Sequence, residues 1–193
     1  MSEHMKIQNQ YIDRFVRALE ETGFKSGRRT ASDYTEGIEM LIDAFCKHKA
    51  DGSSVYFIGN GGSAAIAGHM SADYLKNGRM SVVSMYSFPT ITCLGNDFCY
   101  DDIFSKQLEM ISKSGQLLVT ISSSGESENI YRAILTAKKN DMDVITLTGF
   151  KSDNRIRDLG DVSVYVPSEE YGIVEVIHNL ILQQVVDEIA AGS

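Results

Sequence analysis

The sequence predicts an α/β protein: a three-layer αβα sandwich on a five-stranded parallel sheet, preceded by a helical hairpin. Two observations carry this. Beyond residue 54, five short apolar, β-branched runs alternate with helical segments of about 10–15 residues, the pattern of a parallel sheet covered on both faces. Before residue 50, apolar residues instead recur at helical spacing. The 193 residues read as one domain, with helices over 1–50 and the sheet core over 54–193. No repeat, low-complexity tract or linker interrupts it.

Ile7, Tyr11, Phe15 and Leu19 are spaced i+4, with Gly23 as a stop. Ala31–Ser32–Asp33 supplies cap residues for a second helix carrying Ile38, Leu41, Ile42 and Phe45. The basic stretch Lys25 to Arg29 between them reads as a solvated connection. The strands are Val55–Ile58, Ser81–Met85, Gln116–Ile121, Val144–Thr148 and Val162–Val166. Helices are expected around 64–76, 101–113 and 128–140. A last one over Tyr171–Ala190 has a broad apolar face of Ile173, Val174, Ile177, Leu180, Ile181, Val185 and Ile189. So much apolar surface on a terminal helix predicts burial, including against another subunit.

Eighteen Lys+Arg against 26 Asp+Glu give a net charge of −8, which argues against coating a nucleic-acid backbone. No apolar run approaches the roughly 18–20 residues of a spanning helix, and MSEHMKIQNQ lacks the apolar core of a signal peptide. No membrane or nucleic-acid partner is expected. Three cysteines without a C-x-x-C pair argue against a disulfide framework and fit a cytoplasmic address. Cys46 reads as core, and Cys93 and Cys99 as packed beside a loop.

Gly59-Asn60-Gly61-Gly62-Ser63 follows the first strand and opens a helix. Glycines there let a backbone approach a ligand, or serve turn geometry alone. The third glycine of a dinucleotide fingerprint is missing and Met85-Tyr86-Ser87 offers no ribose carboxylate, so no nucleotide cofactor is expected. Ser122-Ser123-Ser124-Gly125-Glu126-Ser127 follows the third strand. One serine would cap the next helix; four in six residues suggest a phosphate cradle that needs no lysine. Both loops fall at the C-terminal ends of parallel strands, where open α/β sheets bind ligands. His69 and Asp73, spaced i,i+4, suit a metal, a proton relay or a plain ion pair. Glu175 and His178 are spaced i,i+3 on the last helix, with Gln183 further along. Asn96-Asp97 is a polar pair in the loop Cys93 to Tyr100.

The order GNGGS, His69 six residues after that serine, CLGNDFCYDDIFSKQ, ISSSGESEN, VITLTG and a terminal helix with a carboxylate and a histidine resembles the sugar-isomerase (SIS) domain family, in its phosphoheptose isomerase branch. The resemblance covers nearly the whole chain. It implies a flavodoxin-like fold, a cytoplasmic homotetramer with active sites at subunit interfaces, and zinc in many members. It also implies interconversion of sedoheptulose 7-phosphate and D-glycero-D-manno-heptose 7-phosphate through an enediol. Asn60, Gly61 and Gly62 match the substrate-contacting turn, Asn96 and Asp97 a substrate contact, and Ser122, Ser123, Ser124 and Ser127 the phosphate-binding serines. His69 matches a zinc ligand and Asp73 a metal-binding catalytic glutamate.

The terminal helix departs from the family. With a one-residue gap after Pro167, Glu175 falls on a ligand glutamine, and Gln183 on a histidine that is metal ligand and acid/base. Glutamine exchanges no proton near neutral pH. Asp73 and Glu175 are therefore the candidate catalytic pair, with His178 as a substitute base if the helix is rotated. The implied metal set His69, Asp73, Glu175 and Gln183 has one nitrogen donor, oxygen-rich for zinc, which leaves zinc open. A non-catalytic sugar-phosphate-binding regulator or adaptor, or an isomerase of another phosphosugar, are the other readings these residues allow.

Overall fold

A computed structural model describes residues 3–192, with side chains from residue 10; the side chain of Ile7 lies outside the described residues. Helix α1 (Glu3–Glu20) leads into a short hairpin, β1 (Gly23–Ser26) and β2 (Arg29–Thr30), and then α2 (Tyr34–Asp51). There follow β3 (Val55–Gly59), α3 (Gly62–Lys76), β4 (Val82–Val83), α4 (Phe88–Asp97), a single 3₁₀ turn (Tyr100–Asp102) and α5 (Ile103–Ile111). The chain closes with β5 (Leu117–Ser122), α6 (Glu128–Lys139), β6 (Asp143–Thr148), β7 (Val162–Tyr165) and α7 (Tyr171–Ala191).

The sheet runs β2-β1-β7-β6-β5-β3-β4. All five strands read from the sequence are present and mutually parallel, in register Val55↔Leu117↔Asp143 through the centre. Two strands were not expected. The stretch Lys25 to Arg29 is not a solvated connection; it closes a hairpin whose β1 pairs antiparallel with β7, Phe24 opposite Val164. The cause is Phe24, buried edge-on to Tyr34 (5.6 Å between centroids) and against Gly37, where any Cβ would strike its ring. Lys25 points the other way and pairs with Asp158 at 2.9 Å. Arg29 on β2, the short outermost strand, puts charge on that edge and blunts it against further pairing.

Successive strand residues face opposite sides of a sheet, so β3, apolar throughout, feeds two cores. Phe57 joins Leu41, Phe45, Tyr74, Ile177 and Val185 under α2, α3 and α7. Tyr56 and Ile58 join Phe104, Leu108, Ile130 and Ile134 under α5 and α6. Asp33 caps α2, accepting from the Glu36 N–H at 2.9 Å. Cys46 is exposed, not core: it lies one residue, roughly 100°, beyond the Ile38–Leu41–Phe45 stripe. Cys93 is exposed too, and it sits on a helix rather than beside a loop. On α7 the apolar face is buried as expected except at Leu180, which is 40% exposed. Among the described residues no helix is long and apolar enough to cross a membrane.

His178 lies fully buried against the end of β6, donating from Nε2 to the Thr148 carbonyl at 3.1 Å. Its Nδ1 has no partner among the described residues, and burial pushes its pKa from 6.5 down to about 4. The folded state therefore binds fewer protons than the unfolded one below pH 6.5. Stability from this site is complete above that pH and drains away towards pH 4, by about 3 kcal/mol in all. His48, also depressed by burial, adds its own acid slope. Denaturant unfolding from pH 7 to 4.5 on wild type and His178→Leu isolates His178: the leucine variant should have the flatter profile. Thr148 keeps a second donor, Val166 N–H at 2.9 Å, so the substitution orphans no carbonyl.

Candidate functional site

Strands β3 and β5 are neighbours, with Gly59 opposite Ile121, so the loops that leave them lie side by side at the C-terminal edge of the sheet. The first loop turns through Gly61 at φ +56°, a conformation suited to glycine, and enters α3. Gly62 faces α7: a Cβ there would lie 2.4 Å from Glu175 Oε2, so the missing side chain is what lets the carboxylate reach this loop. The second loop turns at Gly125, φ +66°, against Asn154.

Between the loops is a cavity of about 250 Å³ lined by Asn60, Gly61, Gly62, Ser122, Ser123, Ser124, Ser127 and Glu175, with Ser63, Ile121 and Tyr171. Among the described residues no lysine or arginine lines it. Apart from the Glu175 carboxylate and Tyr171 on α7, its polar groups are hydroxyls and amides set at the N-terminal ends of α3 and α6, where helix N–H groups and dipoles favour an anion without any basic side chain. Ser122 and Ser127 hydroxyls face each other at 3.5 Å. The Ser123 hydroxyl is 4% exposed with no hydrogen-bond partner among the described residues. A buried hydroxyl left unpaired costs on the order of 1–3 kcal/mol.

The other expected site residues do not reach this cavity. Asn96 and Asp97 sit in the last turn of α4, not in a loop; Asn96 Nδ2 donates to Asp97 at 2.9 Å, which with the Cys93 thiol holds the Asp97 carboxyl below its ordinary range. His69 and Asp73 pair on α3 at 3.2 Å, and Asn77 donates to Asp73 at 3.4 Å. Gln183 is half-buried and donates to Asp187 at 3.1 Å. His178, about 60° round α7 from Glu175, is buried against the Thr148 carbonyl and does not line the cavity.

This placement tests the four-residue metal set. Glu175 and Gln183 are eight residues apart on one helix, about 12 Å along its axis, while zinc holds its ligands at about 2 Å. Among the described residues no group of three or more His, Cys, Asp and Glu side chains is placed to hold a metal. The residues of a single chain do not fit zinc.

Three contributors escape sequence reasoning. Asn129, in the first turn of α6, exchanges amide hydrogen bonds with Asn60 at 2.8 and 3.0 Å. Tyr100 donates to Asn60 Oδ1 at 2.9 Å. Tyr86 accepts from the Gly59 N–H and donates to the Gly59 carbonyl, at 2.6 and 2.8 Å, bracing the strand end. Only Asn129 carried a signal, its place directly after the serine block.

The model of the SIS domain family matches residues 24–149. The chain is 35% identical over 186 residues to a phosphoheptose isomerase of Shewanella sp. (strain W3-18-1), covering 92% of this chain and 91% of that one. A phosphoheptose isomerase of Shewanella loihica is 33% identical over 162 residues, with 80% and 82% covered. Among solved structures, a phosphoheptose isomerase from Francisella tularensis has a TM-score of 0.82 at 27% identity, covering all of both chains. One from Neisseria gonorrhoeae has 0.77 at 25%, covering 98% and 100%. By sequence, by fold and by the two loops that frame its cavity, the chain belongs to the SIS domain family, beside relatives named phosphoheptose isomerase.

Proposed function

We propose that the protein is a sugar-phosphate isomerase that converts sedoheptulose 7-phosphate to D-glycero-D-manno-heptose 7-phosphate. The observation that carries this is the loop of four serines, Ser122, Ser123, Ser124 and Ser127, lining the cavity at the start of α6 with no lysine or arginine beside it among the described residues. Such a loop takes a phosphate by hydrogen bonds and helix N-termini, and the energy of that remote contact positions the reacting end of the sugar. The relatives named phosphoheptose isomerase supply the substrate.

Among the described residues Glu175 is the one carboxylate lining the cavity. In this reading it removes a proton from C1 of the ketose as the C2 carbonyl oxygen takes a proton from solvent, giving a cis-enediol. It then returns its proton to C2 while the C1 hydroxyl passes its own proton to solvent, leaving the aldehyde. A single base serves both transfers because the two carbons are adjacent. The proposal includes a cytoplasmic homotetramer, supported by apolar side chains exposed on α1 (Tyr11, Ile12, Val16), α3 (Leu75) and α7 (Val176, Leu180). A second copy seated there would cover the α3–α7 face that carries His69, Asp73 and Gln183. No step is routed through zinc.

The test is coupled turnover of sedoheptulose 7-phosphate by wild type and Ser123→Ala. Loss of one hydrogen bond to a charged group predicts a rise in KM of about tenfold to a hundredfold. An unchanged KM would remove the serine loop from the site. Binding without turnover in the wild type would favour a regulator over an enzyme.

A further inference from the structure

The Asn60 amide is held from two sides. It donates to Asn129 Oδ1 at 2.8 Å, while its own Oδ1 accepts from Asn129 Nδ2 at 3.0 Å and from the Tyr100 hydroxyl at 2.9 Å. An amide oxygen takes about two such bonds, and the amide nitrogen has two hydrogens. Asn60 is left with one uncommitted N–H, and it lines the cavity.

Burial does not hold Tyr100 in place, since the residue is 58% exposed. Its turn is anchored instead. Arg132 on α6 donates to Asp102 at 2.9 Å, lies 3.9 Å from Asp101, and is steadied on its own helix by Glu128 at 2.8 Å. Asp102 also accepts from the Cys99 thiol at 3.2 Å and from Ser105 at 3.3 Å. The first turns of α6 thus reach one amide by two routes, directly through Asn129 and through Arg132, the 3₁₀ turn and Tyr100. Ser127, which caps the same helix, lines the cavity from the serine loop.

We propose that Tyr100 and Arg132 are positioning residues that fix the Asn60 amide, so that its remaining N–H donates to an oxygen of the sugar, a hydroxyl or the carbonyl, while the serine loop holds the phosphate. The proposal rests on the sugar-phosphate reading above. It separates two contacts to one ligand: phosphate on the serines, and sugar on an asparagine whose orientation is set from outside the cavity.

A thermodynamic cycle tests it. Wild type, Tyr100→Phe, Asn60→Ala and the double variant are compared in kcat/KM for sedoheptulose 7-phosphate. The calorimetric Kd for the same sugar phosphate is measured in parallel, so that a variant without measurable turnover still closes the cycle. Tyr100→Phe, which keeps the ring and loses the hydroxyl, should lower kcat/KM roughly tenfold and leave inhibition by inorganic phosphate unchanged. In the Asn60→Ala background the same substitution should cost less than about twofold, because its target is gone. Arg132→Lys, which keeps the charge but loses the planar fork, should reproduce the Tyr100→Phe loss in part. A Tyr100→Phe effect equally large without Asn60, or no effect in either background, overturns the proposal. A wild type that neither binds nor turns over the sugar phosphate overturns the isomerase reading and the proposal together. A working wild type with an additive cycle overturns the proposal alone.

Discussion

Gly125→Ala should weaken sugar-phosphate binding and cost the fold about 2–4 kcal/mol, because the added methyl group meets backbone strain and a buried side chain together. Gly125 sits at φ +66°, where a side chain is strained in any surroundings. The surroundings make it worse: the new Cβ would lie 1.9 Å from Asn154 Oδ1 and 2.2 Å from its Cγ. Asn154 cannot step aside cheaply, because it is buried and donates from Nδ2 to the Gly149 carbonyl at 3.1 Å and the Lys151 carbonyl at 2.8 Å. The serine loop would give way instead, carrying Ser123 and Ser124 out of position. Denaturant unfolding reads the stability loss, and calorimetry with sedoheptulose 7-phosphate should show Kd raised more than tenfold. Asn154→Ala in the Gly125→Ala background relieves the overlap and should return part of both. Equal losses in the single and double variants would mean that backbone strain alone, rather than the Asn154 contact, sets the loop.

How far this site was legible in the sequence depends on whether each residue's role is local. The two loops could be read because their chemistry is concentrated: glycines after one apolar strand and serines after the next, each at the mouth of a helix. The five parallel strands could be read because strands buried on both faces are apolar throughout, as Val55 to Ile58 is. The β1–β2 hairpin could not, since its only inward apolar residue is Phe24 and the charges around it resemble a loop. Helix α4 was hidden by Pro89 and Gly95, although a proline near a helix start is where helices accept one. Tyr100 and Asn129 meet Asn60 across 40 and 69 residues of chain, a contact no local pattern encodes. The four-residue metal set came from resemblance alone, and helix geometry separates its members.

That separation makes Glu175→Gln the sharpest experiment on mechanism. The substitution is nearly isosteric, so the contact with Gly62 and the cavity wall persist, but the amide takes no proton near neutral pH. Turnover of sedoheptulose 7-phosphate should fall by a factor of about 10²–10⁴, the usual worth of a positioned general base, with Kd changed by no more than a few-fold. The substitution also installs the residue that the family resemblance places here. If this chain ran its proton transfer from the position that Gln183 occupies, restoring the glutamine would leave turnover intact or raise it, and Gln183→His would raise it further. With Glu175 as the base, Gln183→His should do nothing for the Glu175→Gln variant, because position 183 lies about 12 Å along α7 from the cavity-lining carboxylate. Asp73→Asn completes the set. Asp73 is absent from the cavity of its own chain, so unchanged turnover identifies a site that one chain builds alone. Loss of turnover in that variant, at unchanged stability, identifies a site finished by the α3–α7 face of a second copy, with Asp73 as the group that copy delivers.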